Sequence, residues 1–306
     1  MKAAVYQNYG SPEEIKVKEI PKPIPKANEI LVKIFATSVT SGDVRLRKSD
    51  FPPLFWLPAR LIFGLFSPKK KILGHEFSGV IEDKGKEVTR FDIGDEVFGT
   101  TTLLPTGSYA EYVCIPEKWK NGVIEHKPEG ISFDKSATLP IGCMTAMFLL
   151  EKAEAKPKQS ILVYGASGSV GSFAVQLAKN IGMEVTAVCS TEKVEMVKEI
   201  GADKVIDYKL EDYTRSAEQY DVVFDAVGKT TKSQAKKVLA PQGSFVSVNM
   251  MTKEKPDHLL KIKKLAEEGK IEAYIDKTYG LDQIVEAHKY VESGRKSGNV
   301  VIKIRD

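Results

Sequence analysis

The chain has 306 residues, 42% of them apolar and 28% charged, an ordinary globular composition of about two domains that excludes collagen-like, coiled-coil and fully disordered classes. Its 45 basic and 41 acidic residues leave a net charge of +4, spread over the whole length. The only dense basic runs are Lys69-Lys70-Lys71 and the scattered lysines of 253–264, too little for the concentrated basic face that nucleic acid selects.

Cys114, Cys143 and Cys189 are odd in number and show no C-x-x-C spacing, which fits a reducing compartment and no disulfide framework. The N-terminus lacks the apolar core of a signal peptide, and no run reaches the ~18 apolar residues of a membrane span. The nearest run, 51–66, is broken by Pro52, Pro53, Pro58 and Arg60. A cytoplasmic protein with no membrane span and no nucleic-acid partner is expected.

The first 125 residues predict an irregular β domain. Strand-like runs occupy 2–6, 14–18, 30–35, 77–82, 95–98 and 109–115, punctuated by Pro21, Pro23, Pro25, Gly85, Gly94, Pro105 and Gly107. The segment 51–66 holds five aromatics and reads either as a buried loop packing that domain or as a lid over a hydrophobic substrate. A helical pattern over 134–153 follows. Strands at 160–164, 184–189, 204–206, 221–224 and 244–248 then alternate with helices at 170–181, 191–200 and 230–239. That alternation predicts a parallel sheet with helices on both faces. Beyond 270, a strand over 271–275, a helix over 281–292 and a last strand over 300–304 return to the β texture.

The strand 160–164 runs into Gly165-Ala166-Ser167-Gly168-Ser169-Val170-Gly171 and then a helix. A glycine turn between strand and helix lets backbone approach a pyrophosphate, and the helix N-terminus supplies amides and a positive dipole. The spacing is G-x-x-G-x-x-G rather than G-x-G-x-x-G, and its strand–helix–strand setting points to a dinucleotide. No acid ends the second strand. The chain there reads Cys189-Ser190-Thr191-Glu192-Lys193, with hydroxyls and a lysine suited to a 2′-phosphate, which favours NADPH. Two other readings stay open at this point: Ser190 and Thr191 cap the next helix, or Glu192 binds a ribose diol.

Several further segments occur in order: Gly-His-Glu-Phe-Ser-Gly at 74–79, Leu-Pro-Ile-Gly-Cys-Met-Thr-Ala at 139–146, Gln176-Leu177-Ala178-Lys179, Gly201-Ala202-Asp203, and Asp221 to Gly228. With the glycine turn they resemble the medium-chain dehydrogenase/reductase superfamily, and within it the zinc-free quinone oxidoreductase branch. The resemblance implies an α/β fold: a GroES-like, mainly β catalytic domain at 1–125 and 270–306, and a Rossmann-type parallel-sheet domain at 126–269.

It also implies site residues. Zinc-bearing members use a cysteine, the histidine of G-H-E and a third ligand. Those positions match Thr40, His75 and Ile141 here, so no metal is expected. Thr40 and Thr145 match positions beside the nicotinamide, and His75 and Glu76 are either a polar wall of the substrate cleft or a hydrogen-bonded pair holding the domain. Asp43, Arg45 and Arg47 read as structural. Ser167, Gly168, Ser169 and Val170 match the pyrophosphate turn. Ser190, Lys193 and Tyr208 match the 2′-phosphate end, and Val227 and Ser247 the ribose and nicotinamide end. Without a Lewis acid, a small, hydrophobic, already electron-poor acceptor is implied, a quinone or an α,β-unsaturated carbonyl. The competing readings are a non-zinc alcohol dehydrogenase and an NADPH-binding sensor or structural protein with little turnover. Relatives carry a sixth sheet strand after the fifth. Here Ser247 leads within a few residues to a helix near Pro256, so a five-stranded sheet and a monomer are expected.

Overall fold

The computed structural model describes residues 1–51 and 53–305. They form two compact units. The first comprises Met1–Ile141, Lys255–Lys263 and the chain from Ile275 on. The second comprises Gly142–Glu254 and Lys264–Tyr274. The chain runs β1 (Lys2–Tyr6), β2 (Ile15–Glu19), β3 (Glu29–Ser38), α1 (Ser41–Lys48), α2 (Pro53–Phe63), β4 (Glu76–Lys84), β5 (Glu96–Thr100), β6 (Tyr112–Pro116), β7 (Ile124–His126), α3 (Phe133–Ser136) and α4 (Pro140–Lys152). It continues β8 (Ser160–Tyr164), α5 (Ser169–Ile181), β9 (Glu184–Cys189), α6 (Val194–Glu199), β10 (Lys204–Asp207), β11 (Tyr220–Asp225), α7 (Lys232–Lys236), β12 (Leu239–Ser247), α8 (Pro256–Glu267), β13 (Ile275–Gly280), α9 (Ile284–Glu292) and β14 (Asn299–Lys303).

The second unit is the expected α/β layer. Five strands pair in parallel in the order β10-β9-β8-β11-β12. The order reverses between β8 and β11, and the carboxyl ends at such a reversal are where open sheets of this type bind ligands. Ile161, Leu162, Val163, Val222, Val223 and Phe224 are buried to within 1% of full, as both-faced strands demand.

The first unit is mainly β. Its seven-stranded sheet runs β13-β14-β3-β4-β5-β7, with β6 also on β3, and β1 and β2 form a separate antiparallel pair. Its larger apolar clusters among the described residues are two. One gathers Ile30, Val32, Ile34, Phe77, Val97 and Ile124. The other gathers Tyr6, Leu46, Tyr109, Ile284 and Ile302.

Several local expectations are corrected. The strand expected at 271–275 begins only at Ile275. Glu272 has a side chain for a ladder partner: its amide donates to Gln176 Oε1 (2.8 Å) and its carbonyl accepts from Gln176 Nε2 (3.0 Å). The helix expected over 230–239 is the short α7, because Leu239 already pairs with Tyr220 in β12. The reading of 51–66 as a buried loop is replaced by helix α2, whose Leu57, Leu61 and Ile62 are exposed. Pro52, within that stretch, lies outside the described residues.

His288 on α9 is fully buried, lies edge-on to Tyr109 with centroids 5.6 Å apart, and neither ring nitrogen finds a partner among the described residues. Burial pushes it from 6.5 down to about 4. Asp43 and Glu292 oppose that shift, and Arg47 adds to it. The unfolded chain therefore takes up the proton first, and stability falls as pH drops from 6.5 to 4. The full loss is about 3 kcal/mol. His288→Phe is expected to flatten the melting temperature across that window, measured by thermal scans from pH 7 to pH 4.

Candidate functional site

In the first unit the polar centre gathers around Asp43. Thr40 caps α1 in a reciprocal box: its Oγ1 accepts from the Asp43 amide (3.1 Å) and its own amide donates to Asp43 Oδ2 (2.9 Å). The Thr40 hydroxyl also gives its proton to Oδ2 (2.6 Å). In this geometry it keeps a lone pair and has no proton left for an acceptor. Asp43 Oδ1 accepts from the Gly74 amide (2.9 Å) and pairs with His75 Nδ1 (2.7 Å). The carboxylate is wholly buried. Burial alone would raise its pKa, but the His75 ring and the Thr40 donors outweigh that and hold it well below the usual range.

His75 is thus oriented by a buried anion, with its side chain 21% exposed and Nε2 without a partner among the described residues. Glu76 faces inward. It accepts from the Ser38 hydroxyl and, through Oε2, from the Ile141 amide (2.7 Å), fastening β3 and β4 to the start of α4. Arg47 is buried as well and donates to the Gly10 carbonyl and to Glu292 (2.5 Å each), a structural role as expected from the sequence.

In the second unit the glycine turn joins β8 to α5. Gly165 has φ +77°, and a Cβ there would lie 2.6 Å from Val227 Cγ1. A Cβ on Gly171 would lie 2.2 Å from the Gly165 carbonyl oxygen. Gly168 differs. It is the N-cap of α5, its backbone is extended, and a Cβ there meets nothing closer than 3.5 Å. Packing therefore requires glycine at 165 and 171, while Gly168 leaves open space over a helix N-terminus with no capping side chain. That space lies over the first turn of α5, which Ser169 and Val170 open, a helix N-terminus of the kind that could hold a dinucleotide pyrophosphate. Ser167 is half-buried in the turn.

At the neighbouring strand ends, Cys189 of β9 pairs with Asp207 of β10, which brings Ser190, Lys193 and Tyr208 to one edge. Tyr208 is half-exposed, and its amide donates to the Cys189 carbonyl (3.0 Å). Glu192 pairs with Lys209 (2.5 Å). That lysine first, then the Glu192 amide and Ser190, hold its pKa down to about 2. Val227 lies against Gly165, across the reversal point.

Ser247 is buried and committed: its hydroxyl donates to Asp225 Oδ2 (3.0 Å) and accepts from the Asn249 amide (3.2 Å). Asp225 also gathers the amides of Val227, Gly228 and Thr230 (2.9–3.1 Å). Thr145, half-buried on α4, shows no bond from its hydroxyl to its own helix or to any other described residue.

Residues 26–126 match the family described as alcohol dehydrogenase GroES-like domain, and 169–275 the family described as zinc-binding dehydrogenase. The solved structure of a quinone oxidoreductase from Coxiella burnetii is 29% identical, with a TM-score of 0.89 over 100% of this chain and 99% of that one. The 2-methylene-furan-3-one reductase of Solanum lycopersicum is 33% identical over 99% of this chain and 79% of that protein. The chain belongs to the medium-chain dehydrogenase/reductase superfamily, in its quinone oxidoreductase-like branch. A chloroplastic protein of Arabidopsis thaliana named NADPH-dependent alkenal/one oxidoreductase is 31% identical, again over 99% and 79%.

The zinc of some members of this superfamily does not fit the residues present. At the three ligand positions, Thr40 caps a helix and gives its hydroxyl proton to Asp43, and Ile141 is apolar, which leaves His75 Nε2 as one ligand where a catalytic zinc takes three. Cys143 is buried, and burial pushes its thiol up, away from the thiolate a metal needs. Among the described residues no group of three or more His, Cys, Asp or Glu could hold an ion. The partnership of Asp43 with His75 was not read from the sequence. Its one local signal is Thr-x-x-Asp at 40–43, a capping box opening a helix that the strand pattern had not suggested.

Proposed function

We propose that this oxidoreductase takes hydride from NADPH, without a metal, and delivers it to a quinone or to the β carbon of an α,β-unsaturated carbonyl. The observation that carries the reading is the Asp43–His75 pair, a ring fixed by a buried carboxylate with Nε2 left over. When bound, the dihydronicotinamide supplies the hydride, which a quinone or enone accepts with less polarisation than a plain ketone requires. His75 Nε2, on the protonated ring, hydrogen-bonds the acceptor oxygen as negative charge develops and gives it a proton, while Asp43 keeps the ring oriented. Thr40 positions Asp43. Thr145 offers its unbonded hydroxyl to the nicotinamide amide.

The preference for NADPH is supported by Glu192, which Lys209 occupies and so withdraws from a ribose diol, and by Ser190, Lys193 and Tyr208 at one edge. The names of the tomato, Arabidopsis and Coxiella proteins point to enone and quinone substrates, and that of the Arabidopsis protein to NADPH. The same reading takes the chain as a monomer in a reducing, cytoplasmic setting, supported by the five-stranded sheet and the three free cysteines.

Oxidation of NADPH by a panel of small quinones and enones, with and without chelator, is expected to be chelator-insensitive. Lys193→Glu should raise the KM for NADPH by about tenfold or more and leave that for NADH within about twofold. An equal rise for both would remove the 2′-phosphate from the reading, and loss of turnover with chelator would remove the metal-free step. The commitment of the Thr40 and Ser247 hydroxyls inside the protein favours one rival, a sensor, for which the same assay gives saturable NADPH binding and no turnover.

A further inference from the structure

Helix α2 is fastened by one side and bare on the other. The Arg60 guanidinium lies 4.0 Å from the Tyr9 ring centroid and donates to Ser49 Oγ (3.1 Å). Phe63 stacks on Phe51 with centroids 5.8 Å apart. Tyr9 Oη donates to the carbonyls of Phe63 and Gly64 (3.0 and 2.9 Å). Round the helix, Leu57, Leu61 and Ile62 are 54%, 58% and 59% exposed, and Phe66 just beyond is 90% exposed. Trp56 and Leu65 extend the same patch. Single exposed apolar residues need no explanation, but six within eleven positions form a patch that does.

Charge narrows what the patch fits. Residues 51–75 contain Arg60, Lys69, Lys70 and Lys71 and no aspartate or glutamate. Lys70 turns inward to Thr101, whereas Lys69 and Lys71 stay exposed. The Lys69 ammonium donates to the Leu61 carbonyl (2.9 Å), which sets a cation beside the apolar stripe. A second copy docked face to face would bring like charges together. An apolar layer beneath a plane of negative charge meets both features.

We propose that α2 and the segment 64–71 dock onto the surface of an anionic lipid bilayer. The stripe enters the boundary between headgroups and acyl chains, and Lys69 and Lys71 meet lipid phosphates. The helix has 11 residues, about 16 Å of rise, so it lies in the interface plane. No helix among the described residues is long and apolar enough to cross a membrane.

The test uses the purified full chain, without substrate or cofactor, and vesicles of phosphatidylcholine with or without phosphatidylglycerol. Co-flotation is expected to be at least about tenfold stronger with the anionic vesicles and to weaken severalfold in about 0.5 M salt. Leu61→Asp with Ile62→Asp should reduce it about tenfold or more. So should Lys69→Glu with Lys71→Glu, two surface changes that keep the test open if the first pair fails to fold by circular dichroism. Trp56 emission, read in a Trp119→Phe background, should shift to the blue on the anionic vesicles. Absence of binding, binding unchanged in both double variants, or sedimentation showing that the leucine–isoleucine pair disrupts a dimer or a complex with another protein instead, would overturn the proposal.

Discussion

Replacing Gly168 with aspartate is expected to leave the chain as stable as before and to weaken NADPH binding by at least about a hundredfold. The position is the N-cap of α5 with φ −81° and ψ 176°, a backbone that any residue adopts, and a new Cβ has room there. Aspartate is a preferred N-cap, and its charge suits the helix dipole, so the helix loses nothing. The same carboxylate occupies the place of the pyrophosphate and repels it. A hundredfold corresponds to about 2.8 kcal/mol, modest beside the ~4 kcal/mol between two charges 4 Å apart near a protein surface. Titration of NADPH by fluorescence, beside a thermal scan, checks both halves. Gly171→Ala makes the contrast. Its Cβ would meet the Gly165 oxygen at 2.2 Å, so the melting temperature should fall. If Gly168→Asp bound NADPH normally, the turn would be a packing device and nothing more.

Asp43→Asn is expected to cost about 3–5 kcal/mol, the usual result of removing one partner from a buried charged pair. The asparagine amide would face N–H groups of Thr40, Gly74 or His75 that now donate to a carboxylate. The melting temperature should drop by about 5–8 °C. The pH dependence has a definite sign. The Asp43 carboxyl is held below its ordinary value of 3.8 in the folded chain, so its contribution is present above that pH and is lost as the solution is acidified further. The gap between wild type and variant should close as the pH falls below about 4. Turnover of an enone should fall about a hundredfold with the KM for NADPH unchanged, because the His75 ring loses its orientation while the nucleotide turn is untouched. A stable variant with full turnover would leave the pair without a role.

What could be read in the chain beforehand was mostly periodic or contiguous. Ser160–Tyr164, the glycine turn and Ser169–Ile181 are neighbours in sequence, so strand, loop and helix announce the nucleotide turn together. The Asp43–His75 pair is 32 residues apart and is assembled by the folding of β3, α1 and β4. Its one local trace, the Thr-x-x-Asp capping box at 40–43, says nothing of His75. Residues 271–275 have the texture of a strand but lie beside a glutamine that supplies both halves of the ladder, a substitution of side chain for backbone that composition does not show. Helix α2 was obscured by its prolines. Pro53 is the first helical residue, where no amide is required, and Pro58 is carried inside.

The two rims of the parallel sheet end in different chemistry. β10 is only four residues long. β12 pairs evenly with β11 only over Ser244–Ser247, because its register slips between Leu239 and Ser244, where Ala240-Pro241-Gln242-Gly243 intervene. Pro241 has no amide to offer, so a foreign strand laid along this rim would find a short continuous ladder and then a gap. The sheet therefore gives growing aggregates little purchase at either end.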